Sequence, residues 1–117
     1  MTTAMFATKV EKIQVNGIWY KLITTFKTGE VISPVDGSKY SGTVNIPGIV
    51  EYNGDIYEIS TISEAAFMDC DELVAVNISD SIKSLANKAF QNCTKLESVR
   101  IPAGVEKTGT ASFQGCI

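Results

Sequence analysis

The sequence predicts a short α+β solenoid of stacked repeats behind an N-terminal β-hairpin cap, on three observations. Cys70, Cys93 and Cys116 recur at equal intervals. Apolar positions recur in register with them throughout the C-terminal half. Two Asn-Gly pairs, at 16–17 and 53–54, lie between runs of Val, Ile, Trp and Tyr, a strong signal for a two-residue hairpin because both residues tolerate positive φ. A fixed period of a few tens of residues marks a repeat architecture.

The amino-terminal element comes first. Lys12–Val15 and Ile18–Ile23 flank Asn16-Gly17 as the two arms of a hairpin. Thr28-Gly29 and Asp36-Gly37 mark further turns, and Val31-Ile32 reads as a short strand ending before Pro34. Trp19 and Tyr20 take opposite faces of their strand. This segment is β-rich and non-repeating, and a solenoid needs its first rung covered, so residues 1–40 are expected to form a cap.

Residues 41–117 carry the repeats. Phe67, Phe90 and Phe113 form one column, each three residues before its cysteine, with Ala66, Ala89 and Ser112 just ahead. Leu73 falls on Leu96, Val76 on Val99 and Ile78 on Ile101. Ile59, Ile82 and Val105 make another column, and Ile62, Leu85 and Thr108 the next. Val76-Asn77-Ile78 alternates as a strand does, and Ile82-x-x-Leu85 is a second inward-facing stretch. The Ala89-Phe90-x-x-Cys93-x-x-Leu96 spacing predicts a helical turn that puts Phe and Cys on the core side. One unit cannot bury its own apolar face, but stacked units bury the columns against one another. Thr43-Val44-Asn45-Ile46-Pro47 matches Ser98–Pro102 as a partial earlier copy, and the run around Asn53-Gly54 reads as a hairpin inserted at about 50–58. The last copy stops at Cys116-Ile117 in mid-unit. It reads as a truncated repeat, an unusually short member or an end that docks on a partner, and an end-to-end dimer through it is one arrangement this allows.

Composition narrows the function. With 117 residues the chain makes one domain, and the absence of histidine removes Ser-His-Asp and Cys-His nucleophilic sites and histidine-bearing zinc sites. A net charge of −3 with mixed signs argues against a nucleic-acid footprint. No apolar run is long enough to cross a bilayer, and Met1–Lys12 lacks a signal-peptide pattern. Three cysteines cannot all pair within the chain. In-register side chains on neighbouring rungs stand roughly 4.8 Å apart and point the same way, whereas disulfides need converging Cβ atoms ~3.5–4.5 Å apart. Cys70 and Cys93 are therefore read as core, while Cys116 sits at the open end, where intermolecular oxidation is expected.

The text Ala-Phe-x-x-Cys-x-x-Leu-x-x-Val-x-Ile-Pro, from Ala89 to Pro102, resembles the BspA-like (Treponema pallidum-type) leucine-rich repeat family. Val15–Tyr20, Tyr40–Pro47 and Tyr52–Tyr57 are similar to that family's entry segment, so the likeness covers nearly the whole chain beyond residue 10. The resemblance implies a leucine-rich-repeat solenoid from a bacterial cell-surface or extracellular protein with a host or bacterial surface protein as partner. It implies adhesion as the role, and no catalytic residues, cofactor or metal. Ser79 departs from the proline at Pro47 and Pro102. Thr108 and Ser112 put hydroxyls into apolar columns of the last copy.

The candidate ligand surface is the outward face of the repeat strands. Thr43, Ala75 and Ser98 form one row, and Asn45, Asn77 and Arg100 the next, with Arg100 the sole arginine and the best anchor. A merely solvated sheet face competes with this reading, making the chain a structural spacer. Trp19, Tyr20, Tyr40, Tyr52 and Tyr57 are candidates for a carbohydrate platform, although hairpin aromatics more often pair across strands or pack on the core. Asp69-Cys70-Asp71-Glu72 lacks the spacing of an EF-hand loop and reads as a solvated helix end. The sequons at Asn77 and Asn92 arise from the repeat pattern. A stacked core predicts that a thiol reagent labels Cys116 first in the intact protein, and mass spectrometry of the adducts checks it. Rapid labelling of Cys70 counts against the stack.

Overall fold

The computed structural model describes residues 9–116, so residues 1–8 of the expected cap and Ile117 of the last repeat lie outside it. The described residues form strands and turns with no helix. β1 (Val10–Val15) and β2 (Ile18–Ile23) pair antiparallel around Asn16-Gly17, and β2 pairs antiparallel with β3 (Thr28–Val31). β4 (Ser41–Ile46) precedes a second hairpin, β5 (Ile49–Tyr52) with β6 (Asp55–Ile62), closed by Asn53-Gly54. Positive φ at Asn16 and Gly17, and at Asn53 and Gly54, is the backbone geometry of turns whose twist matches the flanking strands. β7 (Glu72–Ile78), β8 (Ser84–Leu85), β9 (Ser98–Arg100) and β10 (Lys107–Thr108) follow.

Two walls enclose the core. One is the parallel sheet β4-β7-β9; the other runs β1-β2-β3-β6-β8-β10, with β5 on the first half of β6. Leu73 and Val76 both face inward although three residues apart, because the register skips Val74 where Gly42–Thr43 faces Leu73–Ala75. The same device at Ser60 turns Ile59 and Ile62 inward together. An extra residue in one strand re-aims the side chains on either side of it. Gly29 completes the packing of β3, since a Cβ there lies 2.8 Å from both Leu22 Cδ2 and Ile59 Cδ1.

The third side corrects the expectation of helical turns and with it the α+β class. In 63–70 the amides of Ala66, Met68 and Cys70 bond three residues back. Those of Ala65, Phe67 and Asp69 leave the rung and donate to the carbonyls of Asn87, Ala89 and Gln91 at 3.0, 2.8 and 2.8 Å. Lys88, Phe90 and Asn92 repeat this onto Thr110, Ser112 and Gln114. The chain turns through left-handed residues at Ala65 and Asp69 (φ 58° and 62°), Lys88 and Asn92 (60° and 62°), and Ala111 and Gly115 (60° and 83°). A right-handed helix cannot contain them, and each non-glycine residue there costs roughly 1–2 kcal/mol. The Phe-x-x-Cys spacing suits both a helix and this turn. What separates them is where the backbone amides go, because a buried amide needs a partner.

The phenylalanine and cysteine columns stack as the sequence expects, whereas Ile101, expected in the column of the buried Ile78, is exposed. Phe67 and Phe90 have centroids 4.9 Å apart, and Phe90 and Phe113 5.3 Å, both nearly parallel. The Cys93 thiol donates to Phe67 O at 2.9 Å and the Cys116 thiol to Phe90 O at 3.0 Å. Burial pushes the Cys70 thiol up and the Cys93 thiol up to about 12, so both are neutral core groups. In the last rung Thr108 is exposed, and Val105, Phe113 and Cys116 are only half-buried.

Tyr40 ties the N-terminal strands to this core. Its ring packs 4.6 Å from that of Phe67. Its hydroxyl accepts from the Trp19 amide at 2.9 Å and donates to Ile32 O at 2.7 Å. Tyr20 faces inward and is buried, while Trp19 lies half-buried on the other face with its Nε1 enclosed and unpaired.

Two outcomes follow from this architecture. In hydrogen exchange, the amides of Phe67, Asp69, Phe90 and Asn92 are expected to be protected, and those of Ala111, Phe113 and Gly115 to exchange fast, because the latter have no partner among the described residues. Equal protection in all three rungs overturns the ladder. Second, burial raises Tyr20 and Tyr40 from 10.0 to about 12, with the Tyr40 charge adding to the rise at Tyr20 and the Trp19 amide opposing the rise at Tyr40. The folded chain holds these protons more tightly than the unfolded one. Stability is therefore full below pH 10 and lost as pH rises through about 12. Tyr40→Phe removes the hydroxyl bonds and is expected to cost about 1–3 kcal/mol. Urea midpoints at pH 8 and pH 11 check both, and the variant should show the shallower loss.

Candidate ligand-binding face

Parallel pairing without slippage beyond the skipped residue decides which side chains share a face. From Thr43 to Asn45, β4 runs in step with Ala75–Asn77 of β7, and β7 with Ser98–Arg100 of β9. Val44, Val76 and Val99 point inward, leaving Thr43, Ala75 and Ser98 as one outward row and Asn45, Asn77 and Arg100 as the next. All six residues singled out in the sequence thus lie on one wall. Ala75 is half-buried and the other five are exposed.

The polar row is partly ordered by its own contacts. Asn77 Nδ2 donates to Asn45 Oδ1 at 2.7 Å, a side-chain bond between neighbouring strands. Arg100 Nη1 donates to Ile78 O at 3.2 Å and stands 3.7 Å from Asp80 Oδ1. Both ionic side chains are exposed, so the ion pair contributes at most about 1 kcal/mol. Its effect is to hold the guanidinium at the lower edge of the face, with most of its donors open to solvent. The sequence had no signal for Asp80 and Ile78 as its neighbours. Ile78 closes β7 and Asp80 lies in the turn just after it, one rung earlier.

The other candidates take different places. Tyr20, Tyr40 and Tyr57 are core, and Trp19 and Tyr52 half-buried, so none of the five is an exposed platform. The acidic run is shared out between rungs: Asp69 Oδ1 accepts from Asn92 Nδ2 at 3.0 Å, and the Glu72 carboxylate takes Lys95 Nζ at 3.2 Å. Among the described residues no three of Cys, Asp and Glu gather as a metal set, and no helix is long and apolar enough to cross a membrane.

A stack of equal rungs with one parallel-strand wall facing outward defines a repeat solenoid. The family whose model is described as a BspA type leucine-rich repeat region (six copies) matches residues 49–117, more than half of the chain. The chain belongs to this BspA-type leucine-rich repeat family. It is similar to a solved leucine-rich repeat protein from Bacteroides ovatus, at 28% identity and a TM-score of 0.76, over 89% of this chain and 27% of that one. A leucine-rich cell surface protein from Faecalibacterium prausnitzii matches at 24% identity and a TM-score of 0.69, over 85% and 26%. The leucine-rich repeat protein of T. pallidum matches at 21% and 0.70, over 90% and 46%. The last two carry the fold alone. The chain spans about a quarter of the length of the first two structures. No curated protein matches it.

Proposed function

We propose that the chain is a non-enzymatic protein-binding module of a cell-surface leucine-rich repeat protein, serving adhesion through its outward strand face. The observation that carries this reading is the in-register row Asn45, Asn77 and Arg100 beside Thr43, Ala75 and Ser98. Amide and guanidinium groups on a rigid parallel sheet are positioned before a ligand arrives, which lowers the ordering cost of binding. A surface location is part of this proposal; the Faecalibacterium prausnitzii structure of the same fold is described as a cell surface protein.

A second reading, a structural spacer without its own ligand, draws on the same contacts. Asn45 and Asn77 satisfy one another in part, and Arg100 is already engaged by Ile78 and Asp80. A carbohydrate-binding role stands third, because the five candidate aromatics are buried or half-buried. Binding of the chain to arrayed host matrix proteins and glycans, read by interferometry, separates the three. Saturable binding to a protein that falls about tenfold in Arg100→Ala and in Asn77→Ala is the expected result. No binding up to roughly millimolar concentrations favours the spacer. Glycan binding unchanged by both substitutions favours the third reading.

A further inference from the structure

We propose that the free edge of β4 is a docking strand, taking an extended segment of a protein ligand by main-chain pairing. The two walls do not begin at the same level. One continues past its first repeat strand, β6, through β3, β2 and β1; the other begins at β4, which pairs only with β7 among the described residues. In a parallel ladder alternate residues of an edge strand turn their N–H and C=O groups away from the neighbour. Exposed edges are ordinarily blunted by lysine, proline or a bulge. The irregularity here lies at Gly42, and the following run Thr43–Ile46 has a regular register and neither charge nor proline.

A groove of about 470 Å³ lies along this edge. Ser41, Thr43 and Asn45 border one side, and Asn16 and Ile18 at the tip of the first hairpin border the other. An added strand would alternate its side chains, one row continuing Thr43 and Asn45 on the outward face, the other turned toward Ile18 and Val44. Lys39, the single charged side chain on the groove, stands just before β4, with its Nζ 3.4 Å from Met68 O. The matching ligand is therefore an extended peptide with alternating apolar residues and a carboxylate at the Lys39 end. Main-chain pairing supplies affinity in this mode, and the alternate side chains supply selectivity.

The proposal rests on the preceding reading in taking a protein as ligand, and it names the edge rather than the face as the contact. The test selects a displayed random dodecapeptide library against the full chain, then synthesises the selected peptide with N-methyl groups on either set of alternate amides. One N-methylated set is expected to lose about tenfold or more in affinity and the other to bind as the parent does. Exchange should slow at alternate amides of Ser41–Ile46, and Lys39→Glu should weaken binding about tenfold. Failure to select any peptide, equal binding of both N-methylated sets, or protection confined to β7 and β9 overturns the proposal. Arg100→Ala and Asn77→Ala separate the two readings. If they abolish binding of a peptide indifferent to N-methylation, the face stands and the edge falls; if they leave an N-methylation-sensitive peptide bound, the reverse holds.

Discussion

The donation of a backbone amide in one turn to a carbonyl of the equivalent turn in the next rung is the constraint on which the rest of the structure depends. Ala65, Phe67 and Asp69 do this toward Asn87, Ala89 and Gln91, and Lys88, Phe90 and Asn92 toward Thr110, Ser112 and Gln114. Each such bond sets the length of a rung, so every side chain returns above its counterpart one full period later. The phenylalanine stack and the thiol-to-carbonyl bonds are consequences of that return. So are the rung-to-rung pairs Asn92–Asp69, Lys95–Glu72 and Ser84–Thr61, each separated by 23 residues. The left-handed residues meet the geometry. Their local strain is set against amides that would otherwise be buried without acceptors, a loss of about 1–3 kcal/mol each.

What was legible in the residues is what the period repeats. The apolar columns could be read by shifting the chain on itself, and the Asn-Gly pairs by the turn they favour. The turns were misread because three-residue spacing of Phe and Cys has the same meaning in a helix and in a left-handed turn. One signal was present: Asp69, Asn92 and Gly115 occupy one column, and Asp, Asn and Gly are residues that tolerate positive φ. The other left-handed column holds Ala65, Lys88 and Ala111, which carry no such signal. Tyr40 escaped because its position is out of period with Phe67, on which it packs, while its partners Trp19 and Ile32 belong to the non-repeating part. The strand face was legible as a set of residues, whereas Arg100's contacts were not, since one is a main-chain carbonyl at the end of β7 and the other, Asp80, lies in a turn whose path no periodicity describes.

The non-repeating segment gives the solenoid its asymmetry. Three strands extend one wall beyond the first rung, and the Tyr40 hydroxyl fastens two points of that extension while its ring joins the aromatic stack. The same arrangement that covers Ile59 and Tyr20 leaves β4 with a side that is unpaired among the described residues. Stability and availability are thus assigned to different walls. Polar outward rows and an open strand edge lie on β4-β7-β9, and the buried tyrosines lie under the other.

The turn ladder also has a direction, and this bears on what can cover the last rung. In the backbone bonds between turns, the amides belong to the earlier rung and the carbonyls to the later one. At the N-terminal side the stack presents carbonyls, and the Lys39 ammonium sits at Met68 O, an electrostatically fitting group there. At the C-terminal side it presents the amides of Ala111, Phe113 and Gly115, none with a partner among the described residues. A two-fold mate that set its last turn against this one would oppose donors to donors, leaving up to six amides desolvated at about 1–3 kcal/mol each. The expectation of an end-to-end dimer through the last repeat therefore meets a polar obstacle at the turns, despite the half-buried Phe113 and Val105 beside them. A surface that offers carbonyls at the spacing of a rung meets no such obstacle, so the face is selective for the polarity of its cover and not merely for apolar area.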